Sequence, residues 1–190
     1  MKQLLISTFF IIGFIACGEE TSKQTIKNRE NIENLPPYTE EELLKAVNQV
    51  RNRERVCVEE KGVVGPSPAL KWNKFLTFSA HEHSRDMALS NTFSHEGSGT
   101  FFDITGFLEK KRSLFWERIH RHLKIISVPT GENIAVGMVG LEEVIDAWLK
   151  SPKHCENIMN EEFTDMGIAI VTSAQSSYGI YWTQDFAQIY

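Results

Sequence analysis

Long apolar runs are nearly absent from this 190-residue chain. The one such stretch, Leu4 to Ala16, is too short to cross a bilayer as a helix. Basic excess is absent as well. The formal net charge is −5, which argues against a nucleic-acid partner. There is no H-E-x-x-H pair and no G-x-S-x-G elbow, so the compact signatures of zinc peptidases and α/β-hydrolases are missing. No internal repeat is visible. What is present is a globular composition, 42% hydrophobic and 24% charged, with twelve Phe and four Trp to fill a core. That suffices for one domain of ordinary size.

The N-terminus reads as a targeting segment. Met1-Lys2 is followed by the apolar run to Ala16, the pattern of a signal peptide. It ends in Phe14-Ile15-Ala16-Cys17, which resembles a bacterial lipobox with Phe14 at the position usually held by Leu. Residues 1–16 are therefore expected as a leader and Cys17 as the acylated first residue of the mature chain. An ordinary secreted protein cleaved nearby is the alternative. Acylation would tie a soluble body to a membrane. Residues 17–38 are polar, end in Pro36-Pro37, and are expected as a flexible tether.

Residues 39–190 carry the domain. Thr39 with Glu42 forms a capping-box pattern, and Leu43, Leu44, Val47 and Val50 make an apolar stripe behind it. A Gly- and Pro-bearing loop follows over 57–71. A helix is expected from Asn73, with Phe75, Leu76, Ser79, Ala80, His83 and Met87 on one face. Glu109 to Ile126 reads as one amphipathic helix, with Phe115, Ile119, Leu123 and Ile126 inward. Lys110, Lys111, Arg112, Arg118, Arg121 and Lys124 then form an outward basic patch, either a plain surface or a contact for anionic lipid. A helix from Leu141 and a second opened by Ser151-Pro152 come next, with Ser151 as N-cap. Met166–Val171 and Tyr178–Phe186 read as an antiparallel hairpin turning at 173–177. The sum is an α+β domain.

Once Cys17 is assigned to lipid, Cys57 and Cys155 remain, and in an exported chain they are expected as one disulfide. Metal ligation by Cys155 beside His154 is the alternative. His95, Glu132 and His154 are the candidate site: two imidazoles and a carboxylate can hold a catalytic zinc. Equally, such histidines cap turns or satisfy buried carbonyls. Ser151, His154 and Glu132 could also act as nucleophile, base and orienter. His83 falls on an apolar face and reads as a core histidine, while His81, His120 and His122 carry no special signal.

Phe93-Ser94-His95, Gly131-Glu132-Asn133-Ile134-Ala135, Trp148 through His154, and Tyr181-Trp182-Thr183-Gln184-Asp185-Phe186 occur in the order found in CAP (SCP-like) domains. The chain resembles that superfamily, which includes cysteine-rich secretory, antigen 5 and pathogenesis-related 1 proteins, from about Glu40 onward. The resemblance implies an α–β–α sandwich with a central antiparallel sheet and a surface cavity. It implies His95, Glu132, His154, Ser151, Asn133 and Asn157 as cavity residues. His95, Glu132 and His154 match three of the family's four metal-lining side chains, with the second Glu falling near Ser151. It supports the Cys57–Cys155 pair and marks 99–130 as longer than the usual connection.

Fold transfers through such a likeness and activity does not. The leading expectation is a non-enzymatic module on the bacterial envelope, at the outer membrane or cell surface, binding a lipid, an envelope polymer or a protein. A metal-dependent hydrolase using His95, Glu132 and His154, with a divalent ion such as zinc as cofactor, is the alternative. A purely structural lipoprotein is the third.

Overall fold

In the computed structural model the backbone is described from Gly13 to Tyr190 and the side chains from Glu20 onward. The acylation expected at Cys17 lies outside the described side chains, as does the expected leader except for the backbone of its last few residues. Among the described residues no helix is long and apolar enough to cross a membrane.

The chain opens with α1 (Gly13–Glu33) and continues with α2 (Glu40–Arg51). The first corrects an expectation: the segment read as a flexible tether is helical through Glu33. Few apolar residues announce this helix in the sequence, and its hold on the body combines Ile32 packed on the core with a buried polar contact. Asn28 is buried and donates Nδ2–H to the carbonyls of Ala174 and Ser176, at 3.3 and 2.6 Å. The second helix follows its cap closely. Thr39 Oγ1 accepts from the Glu42 N–H at 3.2 Å and the Thr39 N–H donates to Glu42 Oε2 at 2.8 Å, so two otherwise orphaned donors are satisfied.

A small ribbon of β1 (Arg55–Val56) and β2 (Val63–Val64) precedes the main sheet. That sheet is built from β3 (Lys71–Trp72), β4 (Thr130–Val136), β5 (Asp165–Thr172) and β6 (Ile180–Ala187), in the order β3-β5-β6-β4. The three long strands pair antiparallel, with Glu132 opposite Asp185 and Asn133 opposite Gln184. The short edge strand β3 runs parallel to β5.

Helices cover both faces. On one lie α2, α6 (Leu141–Lys150) and α7 (Pro152–Met159), where Val47, Val144, Trp148 and Ile158 pack on Ile168, Trp182 and Phe186 of the sheet. Each large apolar side chain buried there contributes on the order of 1.5–3 kcal/mol. On the other face lie α3 (Lys74–Ser90), α4 (Ile104–Leu108) and α5 (Phe115–Leu123). Asn73 caps α3 through its side chain, and Asn91 ends it in a left-handed conformation. This helix lies so close to the sheet that a Cβ on Gly167 would stand 2.2 Å from the Thr77 backbone nitrogen. The result is an α–β–α sandwich, as expected.

Two local expectations change. The single helix read over Glu109–Ile126 is shorter: residues 109–114 are not helical, Lys110 takes a φ of 57°, and only α5, Phe115–Leu123, forms within that range, with α4 ending before it. Ser151 stands at the N-cap position of α7 but its hydroxyl makes no capping bond.

A disulfide joins Cys57 to Cys155, with the Cα atoms 5.4 Å apart. It ties the β1–β2 region to α7, and Lys61 pairs with Glu156 beside it.

Candidate functional site

The centre of the site is Glu132, a carboxylate in the middle of a sheet. Alternation along β4 sends Glu132 toward α3 and α5 and its neighbour Asn133 toward α7. Both are buried. The Glu132 carboxylate is fully enclosed by partners. Oε2 accepts from Arg118 Nη2–H at 2.7 Å and Oε1 accepts from His95 Nδ1–H at 2.8 Å. His83 Nε2 lies 3.8 Å from Oε1. Burial opposes ionisation of Glu132, but His83, Arg118 and His95 outweigh it and hold the pKa below the usual carboxylate range. Arg118 supplies the countercharge, because His83 is itself neutral: burial depresses its pKa to about 4, against the pull of Glu132. The His83 Nε2–H donates to the Ser94 carbonyl at 2.8 Å, which leaves Nδ1 buried without a partner.

Arg118 fixes several pieces at once. Its Nη1 donates to the Ser113 hydroxyl at 2.8 Å and to the Ser113 carbonyl at 3.2 Å, and its Nη2 donates to the His95 carbonyl at 3.0 Å. The loop carrying His95 is thereby held from both sides. Sequence reading had placed Arg118 in an exposed basic patch. It points inward instead, because α5 turns it over the edge of the sheet next to the buried Ile119.

On the opposite face, asparagines hold α7. Asn157 Nδ2–H donates to the Glu132 carbonyl at 3.0 Å and to Asn133 Oδ1 at 2.9 Å. Asn133 Nδ2–H in turn donates to the His154 carbonyl at 3.2 Å. A Cβ on Gly131 would meet the Phe163 ring at 2.9 Å and Asn157 Oδ1 at 3.0 Å, so the bare glycine lets α7 approach. His154 then sits with its ring centroid 5.9 Å from that of His95. Burial, followed by the proximity of His95, pushes the His154 pKa down.

These groups line a cleft of about 580 Å³. Five of the six expected cavity residues, His95, Glu132, His154, Ser151 and Asn157, lie on its wall. Asn133 does not. It is buried behind the wall as a positioning residue. Sequence reasoning missed Arg118, which stands behind the wall, and the lining residues Phe115, Thr130, Gly131, Lys153 and Glu156. The signal for Arg118 was indirect: an acidic residue inside an apolar strand needs a cation.

As a metal set, the expected trio falls short. Among the described residues no three His, Cys, Asp or Glu are grouped to hold an ion. Both oxygens of Glu132 are engaged, so it orients the His95 ring rather than offering a third ligand atom. The two imidazoles alone remain as candidate donors.

The fold and the cleft define an SCP-like domain of the α–β–α type. The chain belongs to the cysteine-rich secretory protein (CAP) family, whose model matches residues 44–186. It is 34% identical over 119 residues to the uncharacterized protein YkwD of Bacillus subtilis, covering 62% of this chain and 38% of that protein. An extracellular SCP-domain protein from Bacillus anthracis matches in structure with a TM-score of 0.53 and 24% identity, over 81% of this chain and 45% of the other. An outer surface protein from Borrelia burgdorferi matches with a TM-score of 0.55 and 19% identity, over 80% and 97%. The chain spans well under half the length of the curated relatives it matches.

Proposed function

We propose that this chain is an exported binding module of the bacterial envelope, anchored through an acylated Cys17, whose cleft holds a polar ligand without transforming it. The observation that carries this reading is the complete engagement of Glu132 by Arg118 and His95. A carboxylate so placed builds a wall rather than acting as a base. Ser151, Lys153, Glu156 and Asn157 bring polar groups to the cleft wall beside the two imidazoles, with Phe115 as its large apolar member. Among lipid, polymer and protein ligands, that lining favours a segment of an envelope polymer. The extracytoplasmic location rests on the leader-like N-terminus, the Cys57–Cys155 disulfide and a family of secretory proteins.

Co-sedimentation with purified peptidoglycan sacculi tests the reading. The wild-type chain should sediment with the sacculi, and a Lys153→Glu, His154→Ala variant should lose at least about tenfold in affinity, the usual scale for central contacts. Release of soluble fragments by the wild type, or equal sedimentation of the variant, would overturn it.

A second reading, metal-dependent hydrolysis, is favoured by one feature. With Nδ1–H given to Glu132, His95 keeps Nε2 as a lone-pair donor across from a neutral His154. A bound divalent ion there would supply Lewis acidity. Calorimetric titration with Zn²⁺ decides it. Negligible heat in both the wild type and a His95→Ala, His154→Ala variant removes the hydrolase.

A further inference from the structure

The helix α4 is built inside out. Thr105 and Gly106 face the body, while Ile104, Phe107 and Leu108 face outward, with Phe107 and Leu108 exposed by 52% and 66%. A surface helix ordinarily buries its apolar side chains. The apolar face continues beyond the helix. Phe101, 63% exposed, lies against Phe102, with the ring centroids 4.0 Å apart and the planes tilted by 37°. Phe102 and Ile104 share with Phe78 of α3 a second cleft of about 380 Å³.

This face is held on a rigid frame. The Asp103 carboxylate accepts the N–H groups of Gly99, Gly106 and Ser113 at 2.9–3.0 Å. Gly97 and Gly106 crowd it so closely that a Cβ on either would stand 2.2–2.3 Å from Asp103 Oδ2. Glu82 Oε1 accepts the Thr105 N–H at 2.7 Å, and Glu82 Oε2 accepts from His122 Nε2–H at 2.8 Å. The aromatic side chains are therefore presented outward by a buried carboxylate network, with no slack that would let them fold back.

Charge selects the occupant. With the buried Arg118 set aside, residues 99–130 carry five Lys or Arg against three Asp or Glu, in a chain whose net charge is −5. Of the three acids, Asp103 is buried under its hydrogen bonds, and Glu117 and the exposed Glu109 are both tied to Lys111. Lys110 and Arg112 are exposed and follow Leu108 by two and four residues, with Arg112 Nη1 lying 3.7 Å from Glu96. Arg85 lies over the Phe102 ring at 5.6 Å and lines the second cleft. An apolar tip ringed by cations matches the interface of an anionic bilayer, where ring and aliphatic groups enter the acyl boundary and cations stay at the headgroups.

We propose that the α4 face is a membrane-docking surface for anionic phospholipid, formed by Phe101, Ile104, Phe107 and Leu108 with Lys110 and Arg112. This surface uses none of the residues of the cleft and stands or falls separately from it.

The test uses the full chain carrying Cys17→Ser, so that no acyl chain contributes, and vesicles of phosphatidylcholine with or without phosphatidylglycerol. The parent should prefer the anionic vesicles, and more so at low salt. Phe107→Ser, Leu108→Ser and Lys110→Glu, Arg112→Glu variants should each lose at least about tenfold in partition to them. In a Phe107→Trp reporter, spin labels on the lipid chains should quench the emission added at that position. The reporter needs no loss of stability to be read. Partition of both variants equal to that of the parent, or emission that the labels leave unchanged, would overturn the proposal. So would a concentration-dependent dimer that Phe107→Ser, Leu108→Ser abolishes, which would assign the face to a second copy of the chain.

Discussion

Arg118 of α5 and Glu132 of β4 form a buried ion pair, Nη2 to Oε2 at 2.7 Å, that links the helical layer to the sheet at the back of the cleft. Arg118→Met would leave the carboxylate enclosed and unpaired, with a cost of about 3–5 kcal/mol. Adding Glu132→Gln should recover part of that loss, because the uncompensated charge goes. Urea unfolding of the two single variants and the double variant at pH 7 measures the coupling.

Acid should destabilise the domain before most carboxylates titrate. His83 is neutral in the folded chain, with a pKa near 4 set by burial, against an ordinary value of 6.5. The unfolded chain therefore binds the extra proton as pH falls below 6.5, and stability drops until about pH 4. The full loss is about 3 kcal/mol. Glu132, with its pKa lowered, adds a further loss at more acidic pH. Denaturant midpoints between pH 7.5 and 4 should show the first window, and His83→Gln should flatten it.

Asp185 pushes the other way. It is fully buried, neither oxygen has a hydrogen-bond partner, and burial followed by the nearby Glu132 raises its pKa well above the ordinary 3.8. The folded chain keeps a proton that the unfolded chain gives up, so this group costs stability as pH rises above 3.8. Asp185→Asn should therefore stabilise the domain at pH 7–8 and leave it nearly unchanged at pH 3. Thermal melts at the two extremes decide it.

The Cys57–Cys155 link spans 98 residues of sequence. Chain-entropy arguments give such a closure about 4–5 kcal/mol as an upper value. Cys57→Ala, Cys155→Ala should lower the denaturant midpoint accordingly and free α7 at its N-terminal side. Looser α7 should also loosen His154, which nuclear magnetic resonance of the histidine rings would detect.

Much of this molecule was legible from its residues because local chemistry and tertiary role agree there. The Thr39 capping box and the hairpin expected from Met166–Val171 and Tyr178–Phe186 match the structure, and His95, Glu132 and His154 lie on one cleft. Others failed where long-range contacts override local pattern. The strand β4 escaped notice because Gly131 and Asn133 are poor strand formers, and their presence is explained only by the approach of α7. Arg118 looked like one cation among six in an amphipathic helix. Nothing within that helix announces the carboxylate it serves. Asn28 was invisible for the same reason: its partners are carbonyls 146 and 148 residues away.

The docking of α1 through Asn28 has a mechanical consequence. The 17 residues of α1 from Cys17 to Glu33 span about 25 Å. Its seat is tight, since a Cβ on Gly179 would stand 2.7 Å from Asn28 Cγ. A slack leash would let the domain tumble freely about its point of attachment. Under the anchoring proposed above, a stiff mast clamped at the β5–β6 turn would instead transmit orientation, so the hold on Cys17 would also fix which way the cleft faces.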